Sequence, residues 1–377
     1  MKPESEAELA EMVRGAAGPL ALRGGGTRTI GRPVAGELLE TGGLAGIRLY
    51  EPGALTLVAG AGTPLAEIDA ALAAEGQRLP FEAPDMRGLL GTQGESTIGG
   101  VVAANASGPR RVQAGACRDS LIGVRFIDGA GTVVKNGGRV MKNVTGYDLV
   151  KLLAGSHGTL GVLSEVSFKV LPVPETAASL IVAVSDAGAA VQAMAAAMAS
   201  PYEVTGAAWL PGTGVVLRIE GFAASVSYRS GKLTDLLSGF GAVEVEAGAK
   251  AGPETGPEAV AARWAAIRDV VPLQGAAGDL WRLSVKPSDA PGVLARLGAE
   301  AVMLDWAGGL IWARAAEGED LRARLGVPGH ATLVRAGAET RARIAPFQPE
   351  PAPLAAIAAG LRAKFDPRGI LNPGIMG

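Results

Sequence analysis

"LRGGGTRTIG", residues 22–31, sets three glycines in succession between an arginine and a threonine. Glycine weakens helix and strand interiors alike, so the stretch reads as a loop. Such a loop is either a surface turn or a cradle, in which residues without Cβ let successive backbone N–H groups converge on an anion. Two further stretches bear on the choice: STIGGVVAANASGPRRVQAGACRDS (96–120) and GYDLVKLLAGSHGTLGV (146–162). Each pairs glycines with Ser, Thr or Asn, and three such loops in one segment are hard to explain as surface turns. An extended ligand carrying a pyrophosphate would need such a set. Backbone amides can hold the phosphates, and small residues leave room for a flat ring.

The totals narrow the chemistry. A chain of 377 residues is long enough for two or three domains, each with its own core. The net charge of −2 and the lack of any Lys/Arg run exclude nucleic acid as the main partner. The single cysteine, Cys117, excludes an internal disulfide and a cysteine-ligated iron–sulfur cluster within this chain. His157 and His330 are the only histidines, too few for a histidine-based metal site, and no metal is expected. Redox chemistry would therefore rest on a bound organic cofactor. The N-terminus, MKPESEAELAEMV, is acidic and amphipathic without the apolar centre of a signal peptide. No apolar run has the length of a membrane span, and the Ala-rich stretch 187–199 is too short. The expectation is a cytoplasmic chain without direct membrane insertion.

Residues 1–174 alternate short β-like runs, LTLVAG (55–60), LIGVRFID (121–128), GTVVKNGG (131–138) and LSEVSFKVL (163–171), with helical patterns. TPLAEIDAALAAEG (63–76) reads as a helix capped by Thr63 and ended by Gly76, and DLVKLLAG (148–155) as one opened by Asp148. LPVPET (171–176) then reads as a stiff proline linker. Beyond it the order β-α-β-β-α-β occurs twice, over 179–247 and over 281–337, with EDLRARL (319–325) as the last helix. These are two ferredoxin-like halves sharing one antiparallel sheet, residues 175–345, with a bridging helix at 256–270 between them. The tail, 346–377, is a helix broken at Pro367 and followed by an Asn-Pro-Gly turn.

There is no GxxxxGK[ST], no GxGxxG opening a helix and no GxSxG, so a nucleotide-hydrolysing loop, a Rossmann domain and a serine hydrolase are all disfavoured. The order LRGGGT, STIGGVVAANASGP, TGYDLVKLLAGSHGTLGV, FDPRGILNPG instead resembles the FAD-binding domain of the vanillyl-alcohol oxidase / p-cresol methylhydroxylase (PCMH-type) superfamily. Within it, the glycolate oxidase branch, which includes D-lactate dehydrogenases, is the most similar. The resemblance covers residues 20–174 and the last dozen; the middle lobe matches in architecture more than in motif. It implies an α+β chain: a PCMH-type FAD-binding domain of two α/β subdomains, then a ferredoxin-like cap. It also implies a cofactor site. Arg23, Gly24, Gly25, Gly26 and Thr27 would wrap the FAD pyrophosphate. Pro84, Thr97, Ile98, Gly100, Asn105, Ser107 and Gly108 would flank phosphates and flavin. Gly161 and Val162 would lie beside the adenine, and Asn372 would return from the tail.

Two departures shape the expected chemistry. Where some relatives attach FAD through histidine just after the glycines, this chain has Thr27, so FAD is expected to be non-covalent. The histidine-rich C-terminal stretch of the catalytic glycolate oxidase subunit is missing, so no catalytic residue is assigned. The resemblance implies a FAD-binding subunit of a glycolate oxidase complex, acting beside a separate catalytic flavoprotein subunit and an iron–sulfur subunit. A peripheral place at the inner membrane would come only through those partners. The complex would oxidise a small 2-hydroxy acid, glycolate with D-lactate as a second candidate. A stand-alone FAD-dependent dehydrogenase and a non-catalytic scaffold or electron relay stay open. Arg282 and Lys286 could hold a substrate carboxylate, a surface role being the plainer reading of both.

Overall fold

Five apolar runs of the N-terminal half close into one antiparallel sheet in the order Ile47–Glu51, Thr56–Gly60, Val162–Lys169, Leu121–Ile127, Val133–Gly137. The computed structural model of the chain describes residues 1–138, 146–247 and 257–376. Thr145, which opens the motif TGYDLVKLLAGSHGTLGV, lies outside the described residues. The central strands are buried along their length, and the helix Leu65–Ala74 sends Ile68 and Leu72 into the same core. That helix is not capped by Thr63. Its hydroxyl is buried and spent on the loop beneath, donating to Gly60 O at 2.7 Å and accepting from Gly46 N at 2.9 Å. Pro64 takes the cap position instead. Asp148 does cap its short helix, accepting from Lys151 N.

Beside this sheet, Leu20–Arg23 pairs in parallel with Glu37–Glu40. The C-terminal tail adds to the other side of that strand: Leu20 N donates to Ile370 O and Asn372 N to Leu20 O. By contact the chain forms two compact units, Met1–Ser107 with Gly115–Val173 and Pro349–Gly377, and Gly108–Ala114 with Pro174–Gln348. The short Gly108–Ala114 segment thus groups with the second unit.

The second unit is an eight-stranded sheet, antiparallel throughout. Its first half orders as Val243–Ala247, Thr176–Val182, Gly214–Gly221, Val204–Leu210, and its second as Ala301–Asp305, Leu310–Ala315, Asp279–Val285, Gly329–Arg335. The second order mirrors the first, and the halves meet at Trp209 opposite Leu304. Helices Ala187–Ala199, Ala223–Leu237 and Ala290–Leu297 cover one face, burying Met194, Leu233 and Val293 against Leu180, Leu217 and Trp281. The stretch EDLRARL forms only a 3₁₀ turn, Leu321–Arg324. Left-handed Gly318 and Gly326 bracket it, leaving fewer residues than a stable α-helix uses.

Candidate functional site

The Gly24–Thr27 loop leaves the strand Leu20–Arg23 at its C-terminal end. Arg23 sends its side chain outward to Glu40, 2.6 Å away, and this hydrogen-bonded guanidinium holds the Glu40 carboxyl below the usual carboxylate range. The main chain then turns in. A Cβ on Gly24 would collide with Thr97 Oγ1, and one on Gly25 would overlap the Glu95 carbonyl oxygen; Gly26 sits at φ +70°. The glycines are therefore needed twice over, for close packing against residues 95–97 and for a left-handed turn. Among the described residues, the N–H groups of Gly24, Gly25, Gly26 and Thr27 donate to no protein acceptor. Four successive open donors form a ready anion cradle.

The second loop behaves differently. Thr97 caps the helix Ile98–Ala103, its Oγ1 accepting from Gly100 N at 3.3 Å. Ile98 N donates to Thr63 O and Gly99 N to Ala61 O, so the first-turn amides already have protein acceptors. Asn105, left-handed at φ 45°, accepts from Arg118 N through Oδ1, and Ser107 Oγ accepts from Cys117 N. Both side chains anchor the loop to the turn Cys117–Ser120. Gly108 belongs to the second unit, where its carbonyl accepts from Trp306 Nε1 at 3.1 Å.

The third loop closes the first unit's site. Gly155 N and His157 N donate to the carbonyls of Val102 and Ala103, capping the C-terminal end of helix Ile98–Ala103. His157 is left-handed at φ 50°, and burial pushes its pKa down to about 4. Gly161 is required by packing, because a Cβ there would lie 2.5 Å from the Phe126 ring; Val162 is buried at the head of its strand. Asn372 joins the pieces. Its Oδ1 accepts from Leu22 N at 2.7 Å and its Nδ2 donates to His157 O at 2.9 Å. The tail amide thus ties the strand feeding the cradle to the third loop.

Sequence reasoning passed over Arg28. Its guanidinium donates to Ser96 Oγ at 2.6 Å and to the carbonyl of Pro84 at 2.7 Å, linking the cradle to the segment before the second loop. The signal was a cation two residues after the last glycine, beyond Thr27. Cys117 is buried in the core and its thiol pKa is raised by burial. In the second unit Lys286 is exposed, but Arg282 is half-buried and stacked over an indole, which corrects the surface reading.

Residues 1–137 match the family model for the FAD binding domain. Over 363 residues the chain is 37% identical to glycolate oxidase subunit GlcE of Escherichia coli (strain K12), covering 95% of this chain and 92% of that protein. Glycolate oxidase subunit GlcD of Bacillus subtilis (strain 168) is 40% identical over 97 residues, 26% of this chain and 21% of that protein. A solved alkyldihydroxyacetonephosphate synthase shares the fold with a TM-score of 0.68 at 15% identity, over 99% of this chain and 76% of the synthase. No helix among the described residues is long and apolar enough to cross a membrane. The chain belongs to the GlcE family of glycolate oxidase subunits, and its cofactor is FAD.

Proposed function

We propose, from that family membership, that this chain is the FAD-binding subunit of a complex that oxidises glycolate, with D-lactate as a second candidate. Electrons would leave through an iron–sulfur subunit, beside a catalytic subunit like GlcD. The observation that carries the cofactor part is the run of four open N–H donors at Gly24–Thr27. Those amides hold the pyrophosphate, while Thr97 packs closely against Gly24 and Arg28 ties the loop's end to Ser96. FAD, when bound, supplies the two-electron acceptor that no side chain of the protein offers. The chain's own residues bind and orient it: Asn372 fixes the cradle's entry strand against the loop carrying Gly161 and Val162. Thr27 stands where a histidyl attachment would be, so the cofactor is held without a covalent bond. One cysteine cannot ligate a cluster, so in this reading the iron–sulfur centre belongs to another chain.

Glycolate added anaerobically to the purified chain, alone and with its partner subunits, tests the reading through the flavin absorbance. Bleaching only in the complex supports the subunit role; bleaching and turnover with an artificial acceptor by the chain alone would make it a self-sufficient dehydrogenase. Acid precipitation should leave free FAD in the supernatant. Flavin fluorescence that stays with the denatured polypeptide would refute the non-covalent site.

A further inference from the structure

Arg282 sits mid-strand in Asp279–Val285, on the face opposite Trp281, Leu283 and Val285, which point into the helix-covered core. Its cross-strand neighbours are Trp312 and Thr332. Its guanidinium carbon stands 4.9 Å from the centre of the Trp306 ring, and that of Arg111 stands 4.5 Å from the same ring. The indole is held in place: Nε1 donates to Gly108 O at 3.1 Å and the main-chain N–H to Asp305 Oδ1 at 2.7 Å.

A stacked arginine is often only structural, and Arg322 illustrates that case. It lies 4.8 Å from the Trp281 ring centre, and its donors are spent on the carbonyls of Ala331, Ala345 and Pro346. Arg282 has the stacking without the acceptors: among the described residues its guanidinium makes no hydrogen bond. On Arg282 the Arg111 charge and the Asp305 carboxylate act in opposite senses, the arginine more strongly. Burial and the Arg111 charge push the Arg282 pKa down to about 10, so it stays protonated at neutral pH with its donors unspent. A half-buried cation with unspent donors beside a like charge gains when a further anion arrives. The flat guanidinium fork matches a carboxylate better than a tetrahedral anion or a point charge.

We propose that Arg282, with Arg111 beside it over the Trp306 indole, forms a carboxylate-binding site in the second unit that takes a short 2-hydroxy or 2-oxo acid. The substrate class rests on the functional reading above; the site itself does not. Calorimetric titration of the FAD-loaded protein with oxalate, a planar two-carbon anion that offers no hydride, reads binding without turnover. Saturable binding is expected, at least tenfold weaker in Arg282→Gln and partly restored in Arg282→Lys, with flavin content unchanged. If Arg282→Gln loses flavin or melts early, Arg111→Gln carries the test under the same criteria. Sulfate at matched ionic strength should displace oxalate only at tenfold or greater excess. Equal affinities in wild type and variant, no saturable oxalate binding, or sulfate binding as tightly as oxalate would each overturn the proposal. Arginine-dependent oxalate binding without glycolate-dependent bleaching would fail the functional reading and leave the site standing. Bleaching without that binding would do the reverse.

Discussion

Two glycine-rich loops of the first unit look alike in sequence and differ in what their backbone does. Among the described residues, four successive N–H groups at Gly24–Thr27 have no protein acceptor, whereas at Ile98–Gly100 each N–H is already taken by Thr63 O, Ala61 O or Thr97 Oγ1. Glycine content announces close approach in both. It does not say what approaches: at the second loop a neighbouring turn of the same chain, and at the first, in the function proposed above, the cofactor's pyrophosphate. The two are also physically joined, since Gly24 and Gly25 pack on residues 95–97. The second loop is thus the wall against which the first is held.

The largest expected effect comes from breaking that wall. In Gly25→Val the new Cβ would overlap the Glu95 carbonyl, so main chain on one side must move. The cost is on the order of 3 kcal/mol or more of local distortion, concentrated at the cradle. The purified variant should carry less than a tenth of the wild-type flavin absorbance per chain. The second unit has its own core, so its near-ultraviolet tryptophan signal should persist. Full flavin occupancy would mean that the cradle tolerates displacement, and the contrast between the loops would lose its meaning.

Next in size is Asn372→Ala. Each end of this amide satisfies one main-chain group, Leu22 N–H and His157 C=O, and losing a partner for a buried group costs about 1–3 kcal/mol. Because both partners are loop-bearing backbone, the apoprotein should melt lower and FAD affinity should also fall, roughly five- to a hundred-fold. A lower melting temperature with unchanged dissociation constant would reduce the tail to a structural cap.

The fold was largely legible because its signals are local. Strands such as LIGVRFID and the twice-repeated strand order of the second unit follow from apolar runs and turn residues, though the helix read at EDLRARL is only a 3₁₀ turn, and the Asn-Pro-Gly turn marked a tail with a defined path. What escaped depends on groups far apart in sequence. Thr63 looked like a cap, but the main-chain groups of Gly46 and buried Gly60 claim its hydroxyl. Arg282 looked like a surface residue because strand alternation sets it opposite the core, a side that antiparallel sheets often leave to water. Only folding brings Trp306 and the distant Gly108–Ala114 segment over it. The open amides of the cradle were invisible for the same reason, because an unmet donor is defined by everything that fails to reach it.

His157 offers a pH handle on the third loop. Its folded pKa, about 4, lies below the ordinary 6.5, so the unfolded chain binds the proton more readily between these values. Stability should be full above pH 6.5 and decline as pH falls toward 4, by on the order of 2 kcal/mol in total. His157→Asn keeps a residue that tolerates the left-handed backbone and removes the titration. Melting temperature against pH should then be flatter across that window than in wild type. Parallel curves would place the acid sensitivity elsewhere.

The smallest effects test the loop contrast most directly, through a matched pair of added methyl groups. Gly26→Ala meets only Arg23 Cδ, at 3.6 Å, so its penalty is conformational: φ +70° costs alanine roughly 1 kcal/mol or a little more. Because Gly26 N–H is an open donor, relaxation of that strain should turn the donor away and weaken FAD binding about three- to tenfold. Gly100→Ala has ordinary helical geometry, and its Cβ would stand 3.2 Å from Thr97 Oγ1, a side-chain atom that can give slightly. Alanine also gains helix propensity, by about 0.5–1 kcal/mol, which offsets the tight contact. The expected change in FAD affinity is therefore less than about threefold. If Gly100→Ala weakens FAD as much as Gly26→Ala does, the cofactor must approach the second loop as closely as the first. Paired amides at Ile98–Gly100 would then no longer distinguish a supporting wall from a binding surface.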